Sequence, residues 1–350
     1  MDVKELREKL WSGTLTRREL LKASGLLGMG AAAMQALPQL AHASPEAIIE
    51  PAEYKWRMAH APFGVLKSSW EARGVDTMKM IGDLTGVEVV VFDGGGSVDG
   101  QRKAIEDMAG QDWDFASCHP VAIDAYVDPI NQMIARGIPF FQLDTKISSK
   151  EGEVDYVTFP EPNNMFMGMS VTQVLVDALG GKGNVVHTQG MLTHTGAQGR
   201  AKGFHAVVDK YPDIKVLDET PGNWDPVAVR ALWEDLLVKY PQIDGGMFHN
   251  DDMALAAYQA IKAAGREREI KLVGVDGMEP AIKALMDGQL LSTVINPTGR
   301  IHSLAIWIGW FLVTGKHKKE DVPKYILTDA PVVDPVNAPG FLFLAENLLI

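Results

Sequence analysis

From Tyr54 onward, short apolar runs alternate with segments whose apolar residues recur at spacings of three and four. The runs are YKWRMAH (54–60), VEVVVFDG (87–94), WDFASCH (113–119), IPFFQLD (138–144) and VDYVTFP (154–160). A second series follows: GNVVHTQG (183–190), IKVLDETPG (214–222), GGMFHN (245–250), IKLVGVDG (270–277) and LLSTVINP (290–297). The runs predict strands and the spaced segments predict helices. The chain therefore reads as α/β, with βαβ units on parallel sheets covered on both faces. Two series of about five strands predict two similar, doubly wound lobes. Many runs end on a polar residue: His60, Asp93, His119, Asp144, Asn250, Asp276 and Asn296. Ligands of open parallel sheets bind beyond the carboxyl ends of the strands. The two mouths are expected to face each other across a cleft.

One of these ends raises a question of chemistry. In FHNDDMALAAYQAIKAAG, Asn250, Asp251 and Asp252 stand between a strand and a helix. They could be an acid pair, a set of helix caps, or a cradle for a ligand with many hydroxyls. Met253, Ala256, Ala257, Ala260, Ile261 and Ala264 form one small apolar face that lets the helix approach its sheet. Asp251 or Asp252 can cap the first turn and Gly265 can end the helix. Adjacent carboxylates diverge in direction, which argues against catalysis. Asn250, the last strand residue, is left without a role, because the cap needs only one of the three.

Other chemistries find little support. FDGGGSVDG (92–100) is neither a dinucleotide fingerprint nor a phosphate loop, and reads as a flexible turn. Nine histidines include no H-x-x-x-H or H-E-x-x-H, and there is no G-x-S-x-G elbow. No catalytic residue, metal or cofactor is expected. The aromatic signal is stronger. Trp224 in ETPGNWDPVAV and Trp70 in LKSSWEARG fall in loops after strands, where an indole can pack on the C–H face of a sugar ring. Carboxylates and carboxamides then bind hydroxyls in pairs.

Composition sets the bounds. With 350 residues, 46% of them hydrophobic, there is material for two domains. No internal stretch reads as a membrane-spanning run. The net charge is −12 without a basic cluster, a poor match to nucleic acid. The single cysteine, Cys118, permits no intrachain disulfide and is expected to be a small buried hydrophobe.

The first 43 residues differ from the rest. Arg17 and Arg18 precede a run from Ala23 to Leu37 that is apolar but diluted with Gly and Ala, and Ala41-His42-Ala43 supplies small residues for cleavage. This resembles a twin-arginine export signal. It predicts passage through the twin-arginine export machinery, in folded form, to the periplasm of a Gram-negative cell. The segment carries six basic and four acidic residues, against 27 and 41 in the remainder.

Residues 196–315 resemble the ribose/galactose-type periplasmic sugar-binding proteins. The likeness lies in GAQGRAKGFHAVVDKYPDIKVL, FHNDDMALAAYQAIKAAG and IKLVGVDGMEPAIKALMDGQLLSTVINP, and extends more loosely to GIPFFQLD and NNMFMGMSVTQVL. It implies the type I periplasmic binding protein fold: two lobes joined by a three-segment hinge, closing on a monosaccharide or polyol for the membrane permease of an ABC importer. Crossings are expected near Phe159–Pro162, near Pro297 and within 322–335. The lobes would be 54–160 plus 298–325 and 161–297 plus 326–350, in a monomer. By matching segment, Asp144, Asn250 and Asp276 fall where sugar hydroxyls are bound, and Asn296 where Gln or Asn is common. Trp70 and Trp224 fall at stacking positions, His119 at a position commonly Asn, and Asn164 at the start of the second lobe's first helix. The family's binding arginine is replaced by Gln198, while Arg200 matches a structural position. Ser68-Ser69-Trp70-Glu71 replaces the usual first loop, and the added Glu71 carboxylate predicts a more acidic site. The alternatives are a sensor domain of the same fold and an exported enzyme acting on a sugar or nucleotide. A repressor of that fold would need a DNA-binding headpiece where this chain has a leader. Pro331, Pro335 and Pro339 mark the tail as an irregular strap.

Overall fold

Two four-stranded parallel sheets organise the computed structural model, which describes residues 53–346. The expected leader lies outside the described residues. The first sheet holds β1 (Trp56–Ala61), β2 (Val87–Val91), β3 (Phe115–Cys118) and β4 (Phe140–Gln142), in the order β2-β1-β3-β4. Between them run α1 (Ser69–Thr85), α2 (Val98–Ala109) and α3 (Val127–Ala135). Strand β5 (Phe159–Pro162) leads out of this lobe into α4 (Asn164–Ala178). The second sheet holds β6 (Gly183–Thr188), β7 (Ile214–Asp218), β8 (Gly245–Phe248) and β9 (Lys271–Val273), in the order β7-β6-β8-β9. Its helices are α5 (Thr195–Val208), α6 (Pro226–Lys239), α7 (Asp251–Ala263) and α8 (Glu279–Met286). After β10 (Thr293–Val294), helix α9 (Thr298–Val313) returns to pack on α1. Strands β11 (Tyr325–Thr328) and β12 (Val332–Val333) then lead to α10 (Ala338–Glu346), which packs on α8.

Each lobe thus keeps four of the five predicted strands, and the fifth run of each series leaves its sheet. β5 pairs in parallel with β11, and β10 pairs antiparallel with β12. Pro160 and Pro162 explain the first departure, since proline gives no ladder donor and is confined to edges. These small ribbons carry the chain between lobes.

The elements follow from local chemistry. Ser68 caps α1 by accepting from the Glu71 N–H, and Gly86 ends it in the left-handed conformation (φ 74°). Asp225 caps α6, with Pro226 in its first turn. Met58, Phe115 and Phe141 pack with Met78, Ile301 and Trp310 under α1 and α9. Val185, Met247 and Val273 pack with Met167, Val171 and Phe204 under α4 and α5. Cys118 is a free, fully buried thiol. Among the described residues, no helix is long and apolar enough to cross a membrane.

Candidate functional site

The carboxyl ends of the two sheets face each other across a small cavity. The first lobe contributes Phe63, Ser68, Trp70, Glu71, His119, Val121 and Asp144. The second contributes His194, Arg200, Trp224, Asn250 and Asp276, and Asn296 enters from the crossing after β10. The structure thus brings together Trp70, Glu71, His119, Asp144, Trp224, Asn250, Asp276 and Asn296.

Gln198 and Asn164 lie elsewhere. On α5 the buried positions are Ala197, Arg200 and Phe204, a helical spacing that turns Gln198 to solvent. Its amide donates to the Leu192 carbonyl instead (2.9 Å). Asn164 is buried behind the cavity, where its carbonyl accepts from Arg200 Nε (3.0 Å). Arg200 is therefore the arginine of the cavity. A second guanidinium nitrogen donates to the His249 carbonyl, and a third lies 3.5 Å from Asp276. Trp70 also differs from expectation: it lies in the first turn of α1, buried, with its indole N–H donating to the Asn296 carbonyl (3.0 Å).

Backbone conformation marks the same places. Five non-glycine residues have positive φ among the described residues, and Asp144 (59°), Trp224 (61°) and Asp276 (118°) are three of them. Such conformations cost of order 1–3 kcal/mol each and persist where surroundings over-determine them. Trp224 shows how: a Cβ on Gly190 would lie 2.0 Å from its ring, so only glycine lets the indole seat. His194 meets the same indole edge-on at 5.1 Å, and Arg200 lies 5.6 Å over it. Two buried atoms at the cavity, Trp224 Nε1 and Asn296 Oδ1, have no hydrogen-bond partner in the protein. Buried polar groups rarely stay so, and this pair offers one donor and one acceptor to a ligand.

The charges nearly cancel. Burial lowers the His119 imidazole, but Glu71 and Asp144 outweigh it and lift it to about 10. Its Nδ1–H donates to Glu71 (2.5 Å), and Nε2 lies 3.3 Å from Asp144. Burial raises Asp144, yet His119, His194 and Arg200 hold its carboxyl well below the usual range. Burial pushes Asp276 well above that range, with Arg200 opposing. Burial and the His119 charge bring His194 down to about 3. The extra acidity expected from Glu71 is thus offset by His119 and Arg200.

The roles of Asn250, Asp251 and Asp252 are also rearranged. Asn250 is itself the cap of α7, accepting from the Met253 N–H (3.0 Å), so it serves helix and cavity at once. Asp251 is fully buried and accepts from the Met278 N–H and the Thr293 hydroxyl. Asp252 reaches across the cleft and accepts from both the N–H and hydroxyl of Ser69 (2.9 and 2.8 Å). Lys67 and Asp225 make a second contact between lobes (3.5 Å). Sequence reasoning missed His194 and undervalued Arg200. The available signal was the buried Asp276, which needed a cation opposite it.

The family model described as periplasmic binding protein domain matches residues 65–317. A xylitol-binding protein of Mycolicibacterium smegmatis is 31% identical over 261 residues, 74% of this chain and 73% of that protein. The crystal structure of a galactofuranose binding protein superposes with a TM-score of 0.78 at 25% identity, covering 84% of this chain and all of that one. The fructose binding periplasmic domain of a hybrid two component system superposes with a TM-score of 0.74 at 26% identity, covering 84% and 95%.

Proposed function

This chain belongs to the periplasmic binding protein domain family, and from that membership we propose that it is the solute receptor of an ABC importer, closing on a monosaccharide or polyol. The observation that carries the reading is the cavity. Carboxylates, two carboxamides and a guanidinium converge from both lobes on a space bounded by two indoles, with an unpaired N–H and an unpaired C=O on the residues that line it. A sugar or alditol matches these groups because each hydroxyl both donates and accepts. Asp144, Asn250, Asp276, Asn296 and Arg200 take the hydroxyls, and Trp224 takes the C–H face. Balanced charge favours a neutral ligand. The xylitol- and galactofuranose-binding relatives support both the open-chain and the furanose class.

The chain acts by binding alone and works as a monomer. The ligand meets one lobe, and contacts from the other stabilise the closed form. The hinge is β5, Asn296–Thr298 and the β11–β12 segment, joining lobes 54–160 plus 298–325 and 161–297 plus 326–350. Export is by the twin-arginine route, with cleavage after Ala43. The likeness to the ligand domain of a two component system supports one second reading, a receptor whose closed form is sensed by a membrane partner.

The test is a thermal-shift screen of residues 44–350 against alditols, furanoses and pyranoses, followed by calorimetry. At least one should raise the melting temperature by mass action. Trp224→Ala should then weaken it by roughly 10–100-fold, the loss of about 1.5–3 kcal/mol of apolar burial. A screen in which no sugar or alditol shifts the protein at millimolar concentration would sink the reading.

A further inference from the structure

Three clusters of histidine and carboxylate stand close enough to hold a metal ion among the described residues. Hydrogen bonds decide between them, because a ligating imidazole nitrogen must carry a lone pair. In the cavity cluster, His194 Nδ1 accepts from the Ala197 N–H (3.2 Å), so its proton sits on Nε2, the atom that faces His119 and Asp144. In the cluster of His187, His205 and Glu219, His249 Nδ1 accepts from the Gly190 N–H (3.0 Å). His249 Nε2–H then donates to His187 Nε2 (2.8 Å), which places the His187 proton on Nδ1, facing Glu219. Both clusters already hold a proton where an ion would sit.

The third cluster, His60, Glu71 and His302, fixes a lone pair on His302 and leaves His60 free to present one, because its partner is a hydroxyl that can donate or accept. His302 Nδ1–H donates to the Thr298 carbonyl (2.8 Å), leaving a lone pair on Nε2. His60 Nδ1 pairs with the Ser117 hydroxyl (2.8 Å). Glu71 uses one oxygen for His119 and keeps the other free. The three remaining atoms, His60 Nε2, Glu71 Oε2 and His302 Nε2, are all buried and all unpartnered in the protein, and each residue offers a ligand atom within 4.8 Å of those of the other two. The residues are at most 1% exposed. Gly74 on α1 makes room for the set, since a Cβ there would lie 2.3 Å from the His302 ring.

We propose that His60, Glu71 and His302 form a buried site for a divalent transition-metal ion of the zinc class, set in the first lobe directly behind the ligand cavity. Two neutral imidazoles and one carboxylate suit such an ion. Each imidazole is oriented through its other nitrogen, as in established zinc sites. Glu71 joins the ion site to the cavity, one oxygen toward the ion and one toward His119. The three residues are closed off from solvent, so an ion taken up as the lobe folds is held there. Export in folded form, expected from the leader, accommodates a chain loaded before transit.

The test measures zinc and cobalt in the chain as isolated without an affinity tag, and again after unfolding and refolding with each metal. One ion per chain is expected, resistant to a chelator while the protein is folded and released on unfolding. His205→Ala, at the half-exposed rival cluster, should retain it, while His302→Gln and His60→Gln should lose it. If those two variants fail to fold, the chelator resistance of His205→Ala still decides, because a surface ion is stripped from folded protein. Absence of metal both as isolated and after refolding would overturn the proposal, leaving the three atoms to a shared water. Loss of the ion in His205→Ala, or its retention in a folded His302→Gln, would overturn it equally.

Discussion

Asp251 and Asn250 are neighbours with separate tasks in the folded chain. A cap was expected from either aspartate, but Asn250 makes it, because the strand ends one residue earlier and its extended backbone fits the cap position. Asp251 is drawn into the core beside Thr293 and the Met278 N–H, and burial raises it to about 7. An unfolded aspartate titrates near 4. Between about pH 4 and pH 7 the folded chain therefore holds a proton that the unfolded chain has lost. Stability falls as pH rises through that window and levels off above it. Asp251→Asn removes the titration and keeps one oxygen to accept from the Met278 N–H or the Thr293 hydroxyl. The variant should gain on the parent by on the order of 2–4 kcal/mol as pH rises from 4 to 7. Denaturant midpoints of both proteins across that range check this, and parallel curves would refute it. Arg200 and Gln198 show a related limit. Two residues apart on a helix, they face opposite ways, and segment matching alone could not say which faced the ligand.

At the scale of elements, the sequence was most legible where period and punctuation agree. Eight of the ten predicted strands sit in the two sheets at about their expected positions. The fifth of each series was misplaced because an apolar run does not say which neighbour it pairs with. The helix starts gained a use that periodicity cannot reveal. The first turns of α1 and α7 meet across the cleft, where Asp252 accepts twice from Ser69. Hydrogen bonds to a charged group contribute about 1.5–3 kcal/mol. Asp252→Ala touches no cavity-lining residue's ligand-facing group. It should nevertheless speed ligand release by roughly 10–100-fold, with the association rate little changed, since most such effects fall on dissociation. Stopped-flow tryptophan fluorescence would read both rates, and an unchanged release rate would show that the contact does not hold the lobes together.

At the scale of the whole molecule, binding and closure have to be the same event. Asn296 lies at a crossing and donates to Asp144 of the first lobe (3.2 Å) and toward Asp276 of the second (3.5 Å). Trp70 reaches the backbone of the same residue. A ligand bonded to both aspartates stabilises only the form in which the lobes meet, and it shifts the population by its difference in affinity for the two forms. Lys67→Ala combined with Asp252→Ala removes two contacts between lobes without removing the proposed hydroxyl-binding groups. In the free state this variant should have a larger radius of gyration than the parent by small-angle scattering. Saturating ligand should return both to one compact value, near the roughly 19 Å expected for a compact chain of this described length. The affinity of the variant should fall only by the closed fraction it has lost, because the closed site itself is intact. If free and saturated profiles superimpose for both proteins, the lobes do not move on binding, and the receptor would have to be recognised by its partner through something other than closure.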